Sequence, residues 1–346
     1  MSGPLSEDDL IAQVFAPHAG PGALGLKDDV ACLAAPAGCD LVITKDALVA
    51  GVHFFPDDPP DAIARKALRV NVSDVIAKGA DPMGFLLAAA LPPDVTLAWL
   101  QAFAQALGED AKLYNCPLLG GDTVRTPGPA SFSITALGRV PAGRMVARTG
   151  ARAGDALYVT GTIGDAALGL FARAGANDAP AWMRALSPEH RAHLRARYLV
   201  PQPRFALRGA LRDHAHGAMD VSDGLVGDLA KMMRASGVGA RVEMSRIPFS
   251  PAAQAAIAQD SSAQDSSAQV SSAQKPSPLE IALTGGDDYE ILCAVGVAQA
   301  SAFEAAAQAA GAPVTRIGLV RAEPGVDFVD AAGAPRAFAR GSFSHF

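Results

Sequence analysis

The 346-residue sequence is poor in cysteine and contains no long apolar run. Its four cysteines have no CxxC spacing and form no zinc-binding pattern with the seven histidines, so we interpret them as reduced thiols. No apolar segment approaches the roughly 18 to 20 residues that span a bilayer. The first residues, MSGPLSEDDL, are acidic where a signal peptide would be basic. We therefore expect a soluble, cytoplasmic protein with no membrane partner.

Positive charge is also scarce. The 29 lysines and arginines are outnumbered by 35 acidic residues, which gives a formal net charge of −6. Nucleic acids and anionic membranes bind clustered positive charge, so we expect no nucleic-acid partner. An anionic substrate would need metal ions or a local arginine cluster.

Several common catalytic motifs are missing from the sequence. It contains no Gly-Lys dipeptide, and therefore no Walker A loop, and it has neither a complete protein-kinase signature nor a GxSxG motif. If the protein uses ATP, carboxylates and metal ions must take the place of the loop lysine.

The length favours two domains, and the order of predicted elements restarts after VARTGARAGD. We place an α+β or mixed-sheet domain at 1–150 and a mixed α/β domain at 151–346. The first should contain helices starting at Ser6 and at 60–78 and 96–114, and strands at 30–35, 40–46, 84–92, 116–122 and 130–140. The second should contain strands at 156–161, before Val221, at 280–284 and at 289–295, and helices from 164, around 188–213, at 223–236 and at 298–310.

A Ser/Gln-rich insertion at 260–277 interrupts the second domain. It contains three five-residue units, DSSAQDSSAQVSSAQ, between Asp260 and Gln274. Such a composition buries too little apolar surface to offset chain entropy, which predicts a flexible surface segment.

Acidic residues gather in short stretches: KDDVA, ITKDALVAGVHF, NVSD, GGDT, MDVSDG and TGGDDYE. Several follow an apolar strand directly, at the sheet ends where ligand clefts form, which makes them candidates for one shared site. The turns LLGGDT, TGTIGD and LTGGDD could also bring backbone N–H groups to an oxyanion such as phosphate.

Individual positions allow more than one interpretation. On the helix at 60–78, Asp74 continues an apolar face, either as a buried acid that caps a loop or pairs with Lys78, or as a ligand. Ser222 or Asp223 could cap the following helix, but capping leaves Asp220 unexplained, and two carboxylates there suit Mg²⁺. The lone His53 lies near Asp46, although a lone histidine is more often structural.

Taken together and in order, the stretches LKDDVACL, TKDALVAGVHF, ARKALRVNVSDVIAKGADP, LLGGDTVRT, VTGTIGDAALGL, MDVSDGL and TGGDDYEIL resemble the thiamine-monophosphate kinase family. This family belongs to the ATP-binding superfamily of aminoimidazole ribonucleotide synthetase. The resemblance covers nearly the whole chain apart from the insertion. It implies phosphorylation of thiamine monophosphate by ATP, a two-domain fold, and a homodimer whose N-terminal domains form a shared barrel.

The resemblance also implies site residues. Mg²⁺ ligands would be Asp29, Thr44, Lys45, Asp46, Asp74, Asp122, Asp220 and Asp223. ATP contacts would be Gly121, Asp122, Arg148 and Ser222, and substrate contacts would be His53, Asp287 and Phe343. Asp74, Asp122, Asp220 and Arg148 would serve catalysis, with several Mg²⁺ ions as cofactors and ATP as co-substrate.

Three positions depart from the family pattern: Lys27 replaces Gly, Thr44-Lys45 replaces Ser-Thr, and Asp287 replaces Glu. None of these changes removes an acid, so an active kinase is favoured. The alternatives are another enzyme of the superfamily, such as aminoimidazole ribonucleotide synthetase, and a noncatalytic nucleotide-binding regulator.

Overall fold

The computed structural model describes residues 10–27, 31–34, 37–173, 179–264, 276–338 and 341–342. The chain divides into two compact units, Met1–Met145 and Val146–Phe346, and each unit combines helices with one β-sheet. The expected mixed α/β architecture is thereby confirmed. No helix in these ranges is long and apolar enough to cross a membrane.

The first unit contains a four-stranded sheet in the order β1-β4-β2-β3, in which β3 pairs parallel to β2 and the other pairs are antiparallel. Its strands are β1 Cys39–Val49, β2 Asp81–Leu91, β3 Leu118–Arg125 and β4 Ser131–Pro141. Its long helices are α1 Pro60–Ala77 and α2 Leu97–Leu113.

Helix α1 confirms the predicted helix at 60–78. Pro60 occupies the first turn, where a missing N–H costs nothing, and Gly79 ends the helix at φ +68°. The helix packs against β1, β4 and α2, and most of its side chains are buried. Phe103 of α2 stacks on Phe132 of β4 with ring centroids 4.6 Å apart, so both helices cover the same face of the sheet.

The opposite face of this sheet is open within the first unit. Leu41 and Ile43 of β1 are 51% and 63% exposed, whereas Val42 and Leu48, on the alternate positions, are buried. The strand predicted at 30–35 is wrong for its described part, residues 31–34. The backbone N–H of Cys32 there bonds to the carbonyl of Gly22 in a preceding loop.

The second unit contains a seven-stranded sheet in the order β11-β10-β7-β9-β5-β8-β6. Its strands are β5 Ala156–Thr160, β6 Ala215–Val221, β7 Gly239–Glu243, β8 Glu290–Val295, β9 Val314–Arg321, β10 Gly325–Val329 and β11 Pro335–Arg336. Its helices are α3 Asp165–Leu170, α4 Ala181–Ala185, α5 Pro188–Leu199, α6 Arg208–His214, α7 Leu225–Ser236, α8 Pro251–Gln264, α9 Pro278–Thr284 and α10 Ala300–Ala309.

One predicted strand of the second unit is a helix. Residues 280–284 form the second part of α9, whose start is capped by Ser277, which accepts a hydrogen bond from the N–H of Glu280 at 3.2 Å. The apolar run Ile281–Leu283 suggested a strand, but Ser277 and Glu280 have the spacing of a helix-capping box.

The Ser/Gln-rich insertion is described only in part. Helix α8 continues through Gln264, so the backbone of the first DSSAQ unit is helical. The rest of the repeat lies outside the described residues.

Candidate active site

In the first unit, β1 and α1 bring three predicted ligands together. Thr44 donates a hydrogen bond from Oγ1 to Oδ2 of Asp74 at 2.6 Å. Two residues along the strand, the backbone N–H of Asp46 donates to Oδ1 of Asn71 at 2.9 Å. Because side chains two apart on a strand share a face, Thr44 and Asp46 both face α1. Asp74 thus connects the helix to the strand.

Lys45, between them, lies on the other face of β1. Its side chain is exposed, and its Nζ approaches Oγ1 of Thr135 at 3.4 Å. If Lys45 contributes to a metal site beside Thr44 and Asp46, the ligand must therefore be its backbone carbonyl.

Asp122 lies apart from these residues. It is on β3, at the opposite edge of the sheet from β1, which at the usual strand spacing is about 14 Å away. The pairing register across the sheet places Asp46 level with Gly121, and it places Asp122 level with Ala88, which is exposed. Because successive side chains of a strand point to opposite faces of the sheet, Asp122 lies on the open face. A single copy of the first unit does not bring Asp122 to Asp46 and Asp74.

Gly121 is held close to the neighbouring strand. A Cβ atom at this position would lie 1.8 Å from the carbonyl oxygen of Leu87, so only glycine fits there. Gly121 is thus needed for the β2–β3 pairing itself, whatever the GGD sequence binds.

His53 has contacts that stabilise the turn after β1. Its Nδ1 accepts a hydrogen bond from the N–H of Val49 at 3.0 Å, which assigns the ring proton to Nε2 in the neutral form. Its carbonyl accepts from Nζ of buried Lys66 at 3.0 Å. These contacts favour the structural interpretation, and a substrate contact through His53 remains a prediction.

In the second unit, the end of β6 holds the MDVSDG residues. Asp220 is buried, 5% exposed, and pairs in register with Ile291 of β8. Beyond the strand, the N–H groups of Ser222 and Asp223 both donate to Oδ2 of Asp228, at 2.9 and 2.8 Å. The turn is therefore organised from the following helix.

The proposed capping of that helix by Ser222 or Asp223 is wrong. Helix α7 begins at Leu225, its N-cap is Gly224 at φ +112°, and no side chain caps it. Asp228, in the first turn, instead reaches back to the two preceding N–H groups. Burial raises the pKa of Asp228, while hydrogen bonds from the Asp223 backbone and Lys231 act in the opposite direction.

Asp223, a predicted metal ligand, is paired with a lysine. Lys231 of α7 donates from Nζ to Oδ2 of Asp223 and to Oδ1 of Asp228, the latter at 3.0 Å. A metal ion at Asp223 would therefore share this carboxylate with the ammonium group.

The TGGDDYE loop between α9 and β8 joins this cluster. The N–H of Asp287 donates to the carbonyl of Ser222 at 2.9 Å, and that of Tyr289 donates to Val221 at 2.8 Å. At Gly286 a Cβ would lie 2.3 Å from the Ser222 oxygen. The structure thus brings Asp287 to the strand end that carries Asp220 and Ser222.

Arg148 lies in a segment that packs on the same strand and helix. Its carbonyl accepts from Oγ of Ser236 at 3.1 Å, at the end of α7, and its side chain is exposed. A Cβ at Gly150 would lie 1.8 Å from the carbonyl oxygen of His216 on β6, so glycine is required for this approach.

Asp288 and Glu290, two acids with no predicted role in the site, both accept hydrogen bonds within the second unit. Asp288 accepts hydrogen bonds from the N–H groups of Gly164 at 2.6 Å and Ala166 at 3.3 Å. Gly164 belongs to the TGTIGD turn and Ala166 follows it, so a carboxyl group of the same chain already occupies these two N–H groups. A phosphate contact through the rest of this turn stays a prediction.

The donor chemistry fits Mg²⁺, although the described residues form no preformed cage. Within the described ranges, no three His, Cys, Asp or Glu side chains are close enough to hold a metal ion. Mg²⁺ commonly uses one or two carboxylates and completes its shell with water and substrate phosphates. Asp46 and Asp74 in the first unit, and Asp220 and Asp223 in the second, could supply such carboxylates. The predicted ligand Asp29 and the predicted substrate contact Phe343 lie outside the described residues.

Comparison with known proteins first defines a class. The family model AIR synthase related protein, N-terminal domain, matches residues 27–140, and the C-terminal domain model matches residues 152–331. A more specific relative is the thiamine-monophosphate kinase of Caulobacter vibrioides. It is 45% identical over 322 residues, covering 92% of this chain and 84% of that protein. The chain therefore belongs to the thiamine-monophosphate kinase family of AIR synthase related proteins.

Solved structures agree with this assignment. The thiamine-monophosphate kinase from Stenotrophomonas maltophilia K279a superposes with a TM-score of 0.76 at 37% identity, covering 90% of this chain and 92% of that one. The complex of AaThiL with AMPPCP and TMP superposes with a TM-score of 0.74 at 27% identity, covering 98% and 94%.

Proposed function

We propose that this protein transfers the γ-phosphoryl group of ATP to thiamine monophosphate, giving thiamine diphosphate and ADP. The observation that carries the proposal is its likeness, over nearly the whole chain, to AaThiL in complex with AMPPCP and TMP. AMPPCP is an ATP analogue that resists transfer of its γ-phosphoryl group. A protein that binds it together with TMP holds a donor and an acceptor at once.

The reaction is a direct displacement at phosphorus. A phosphate oxygen of thiamine monophosphate forms a bond to the γ-phosphorus of ATP. The bond from that phosphorus to the β,γ-bridging oxygen breaks, and its electron pair leaves with ADP. The acceptor oxygen is already ionised at neutral pH, so no general base is required. The main demand is to bring two anionic phosphates into line.

The acidic side chains of both units fit this demand. Bound Mg²⁺ ions supply positive charge that neutralises the phosphate oxygens. The residues proposed to hold them are Asp29, Thr44, Lys45, Asp46, Asp74, Asp122, Asp220 and Asp223. Of these, Asp74, Asp122 and Asp220 are proposed to matter most for turnover, together with Arg148, whose exposed guanidinium can donate two parallel hydrogen bonds to phosphate oxygens.

The remaining proposed contacts orient the two substrates. Gly121, Asp122, Arg148 and Ser222 are proposed to contact ATP. His53, Asp287 and Phe343 are proposed to contact thiamine monophosphate. Asp287 is supported by its place beside Ser222, and His53 has the weakest support because its Nδ1 already serves the turn after β1.

A homodimer is also proposed, with the first units of two copies forming a shared barrel. Support comes from the open face of the sheet, where four large apolar side chains are between 39% and 63% exposed: Leu41, Ile43, Leu86 and Val124. An apolar sheet face of this kind normally becomes covered. A cytoplasmic location is proposed as well, and its support is that all four cysteines are free thiols.

The test is a coupled assay of ADP release with thiamine monophosphate, thiamine and an aminoimidazole ribonucleotide precursor as separate acceptors. Turnover with thiamine monophosphate alone, with thiamine diphosphate formed in equal amount to ADP, is expected. Turnover only with the aminoimidazole precursor would support a synthetase instead. Tight ATP binding without turnover would support a noncatalytic regulator.

A further inference from the structure

Three buried acidic residues of the second unit take no part in the chemistry proposed above. Asp165, Asp288 and Glu290 are each no more than 1% exposed. A buried carboxyl group is unfavourable unless hydrogen bonds or cations compensate. Each of these residues is compensated, and the partners come from different sequence motifs.

Asp288 connects the TGGDDYE loop to the TGTIGD turn. Its two carboxyl oxygens accept hydrogen bonds from the N–H groups of Gly164, at 2.6 Å, and Ala166, at 3.3 Å, at the start of α3. Gly164 is itself fixed, because it has φ +86° and a Cβ there would lie 2.3 Å from Cβ of Ala282 in α9. The acceptor and both donors are therefore held on packed elements.

Glu290 anchors the end of the same loop at the start of β8. It accepts hydrogen bonds from Oγ1 of Thr160 at 2.6 Å, Nε of Arg204 at 2.6 Å and a terminal nitrogen of Arg197 at 2.9 Å. Asp165, next to Gly164, accepts from Oγ1 of Thr162 at 2.6 Å. The loop is thus bound at two points to the interior of the second unit.

The backbone between these points is unusual. Asp287 and Tyr289, on either side of Asp288, have φ values of +75° and +51°, a conformation that residues other than glycine rarely adopt. Their N–H groups donate to the carbonyls of Ser222 and Val221. The loop therefore directs the Asp288 side chain toward α3 and the flanking N–H groups toward the MDVSDG strand end.

We propose that Asp288 is a positioning residue for the substrate loop, residues 285–289. Its carboxyl group fastens the loop to the start of α3, and this holds Asp287 against Ser222 in the orientation needed to bind thiamine monophosphate. The inference rests on the proposed function. It adds that the acid next to the substrate contact acts through the backbone, without touching the substrate.

The test compares Asp288→Asn and Asp288→Ala with the wild type in steady-state kinetics. We expect the KM for thiamine monophosphate to rise by about tenfold or more in both, because small displacements of a binding group weaken substrate alignment. The Kd for AMPPCP should change by less than threefold. Amide hydrogen exchange at Asp287 and Tyr289 should accelerate in the variants.

Tyr158→Phe is the matched control, because it removes a partly buried hydrogen bond to Glu304 in the same unit, at 2.6 Å, that does not involve the loop. It should lower the melting temperature and leave the KM unchanged. If Asp288→Ala does not fold, the isosteric Asp288→Asn carries the test.

An Asp288→Asn variant that is less stable but keeps the wild-type KM and exchange rates would overturn the inference alone. No turnover by the wild type would overturn the proposed function and this inference with it.

Discussion

The carboxyl group of Asp288 accepts a hydrogen bond from the backbone N–H of Gly164 at 2.6 Å, across 124 residues of sequence. This contact joins two motifs that look alike in sequence, since both are glycine turns ending in an acid. In the structure one of them supplies the donors and the other supplies the acceptor. Part of the acidic character of the sequence therefore serves to hold the site loops in place.

The burial of Asp288 predicts a pH dependence of stability. Burial raises the pKa of Asp288 well above its usual value; Gly164 and Arg197 lower it, and Asp165 and Glu290 add to the rise. The pKa of Asp288 is higher in the folded protein than in the unfolded chain, so the folded protein binds the proton of this carboxyl group more tightly. The resulting contribution to the free energy of unfolding is complete at pH values below the unfolded pKa. It is lost as the pH rises through the folded pKa.

Asp288→Asn removes this titration. The free energy of unfolding of the wild type, measured relative to the variant by urea denaturation, should fall as the pH is raised from about 4 toward neutrality. Parallel stability curves for the two proteins across that range would refute the prediction.

The buried ion pairs of Glu290 should dominate local stability. Replacement by Gln leaves Arg197 and Arg204 without their partner charge, so we expect Glu290→Gln to lower the free energy of unfolding by about 3 to 5 kcal/mol. The control is Glu243→Gln, which breaks the exposed Glu243–Arg246 pair and should cost less than about 1 kcal/mol. Urea denaturation measures both values, and equal losses would contradict the argument.

Gly286 should not tolerate a side chain. A Cβ there would lie 2.3 Å from the carbonyl oxygen of Ser222, so Gly286→Ala must displace the loop. We expect a loss of about 1 to 3 kcal/mol in stability and a higher KM for thiamine monophosphate. Gly209→Ala is the control, because nothing lies within 4 Å of its added Cβ. A Gly286→Ala enzyme indistinguishable from the control would show that the loop can shift freely.

The open face of the first sheet should mediate dimerisation. Ile43 is 63% exposed on that face, and Ile43→Asp would place a charge in the proposed interface, where burial without a partner is costly. Sedimentation equilibrium should show a dimer for the wild type and a monomer for the variant. Leu113→Asp, at the similarly exposed end of α2, should remain dimeric. If Ile43→Asp is also dimeric, the interface lies elsewhere.

Much of the fold follows from local signals. The helix at Pro60–Ala77 was predictable from a proline at its start and a glycine after its end. The apolar run at Ile281–Leu283 was misleading because burial alone does not distinguish a strand from a short helix. The capping box formed by Ser277 and Glu280 is the local signal that distinguishes them.

The candidate site was less predictable, because it depends on contacts between distant segments. Asp287, Asp288 and Glu290 are near neighbours in sequence, and only the left-handed backbone at Asp287 and Tyr289 decides which acid turns into the interior. Likewise, the side of the sheet on which Asp122 lies depends on its register with β2. Neither feature has a local sequence signal.

Aspartates of both units are proposed to support phosphoryl transfer to thiamine monophosphate. The most direct measurement is the kcat of Asp74→Asn and Asp220→Asn as a function of Mg²⁺ concentration, with melting temperatures recorded alongside. We predict that both variants stay folded and lose at least about 100-fold in kcat, since each loses a charge that serves the anionic transition state. Near wild-type rates in either variant at low Mg²⁺ would contradict the account.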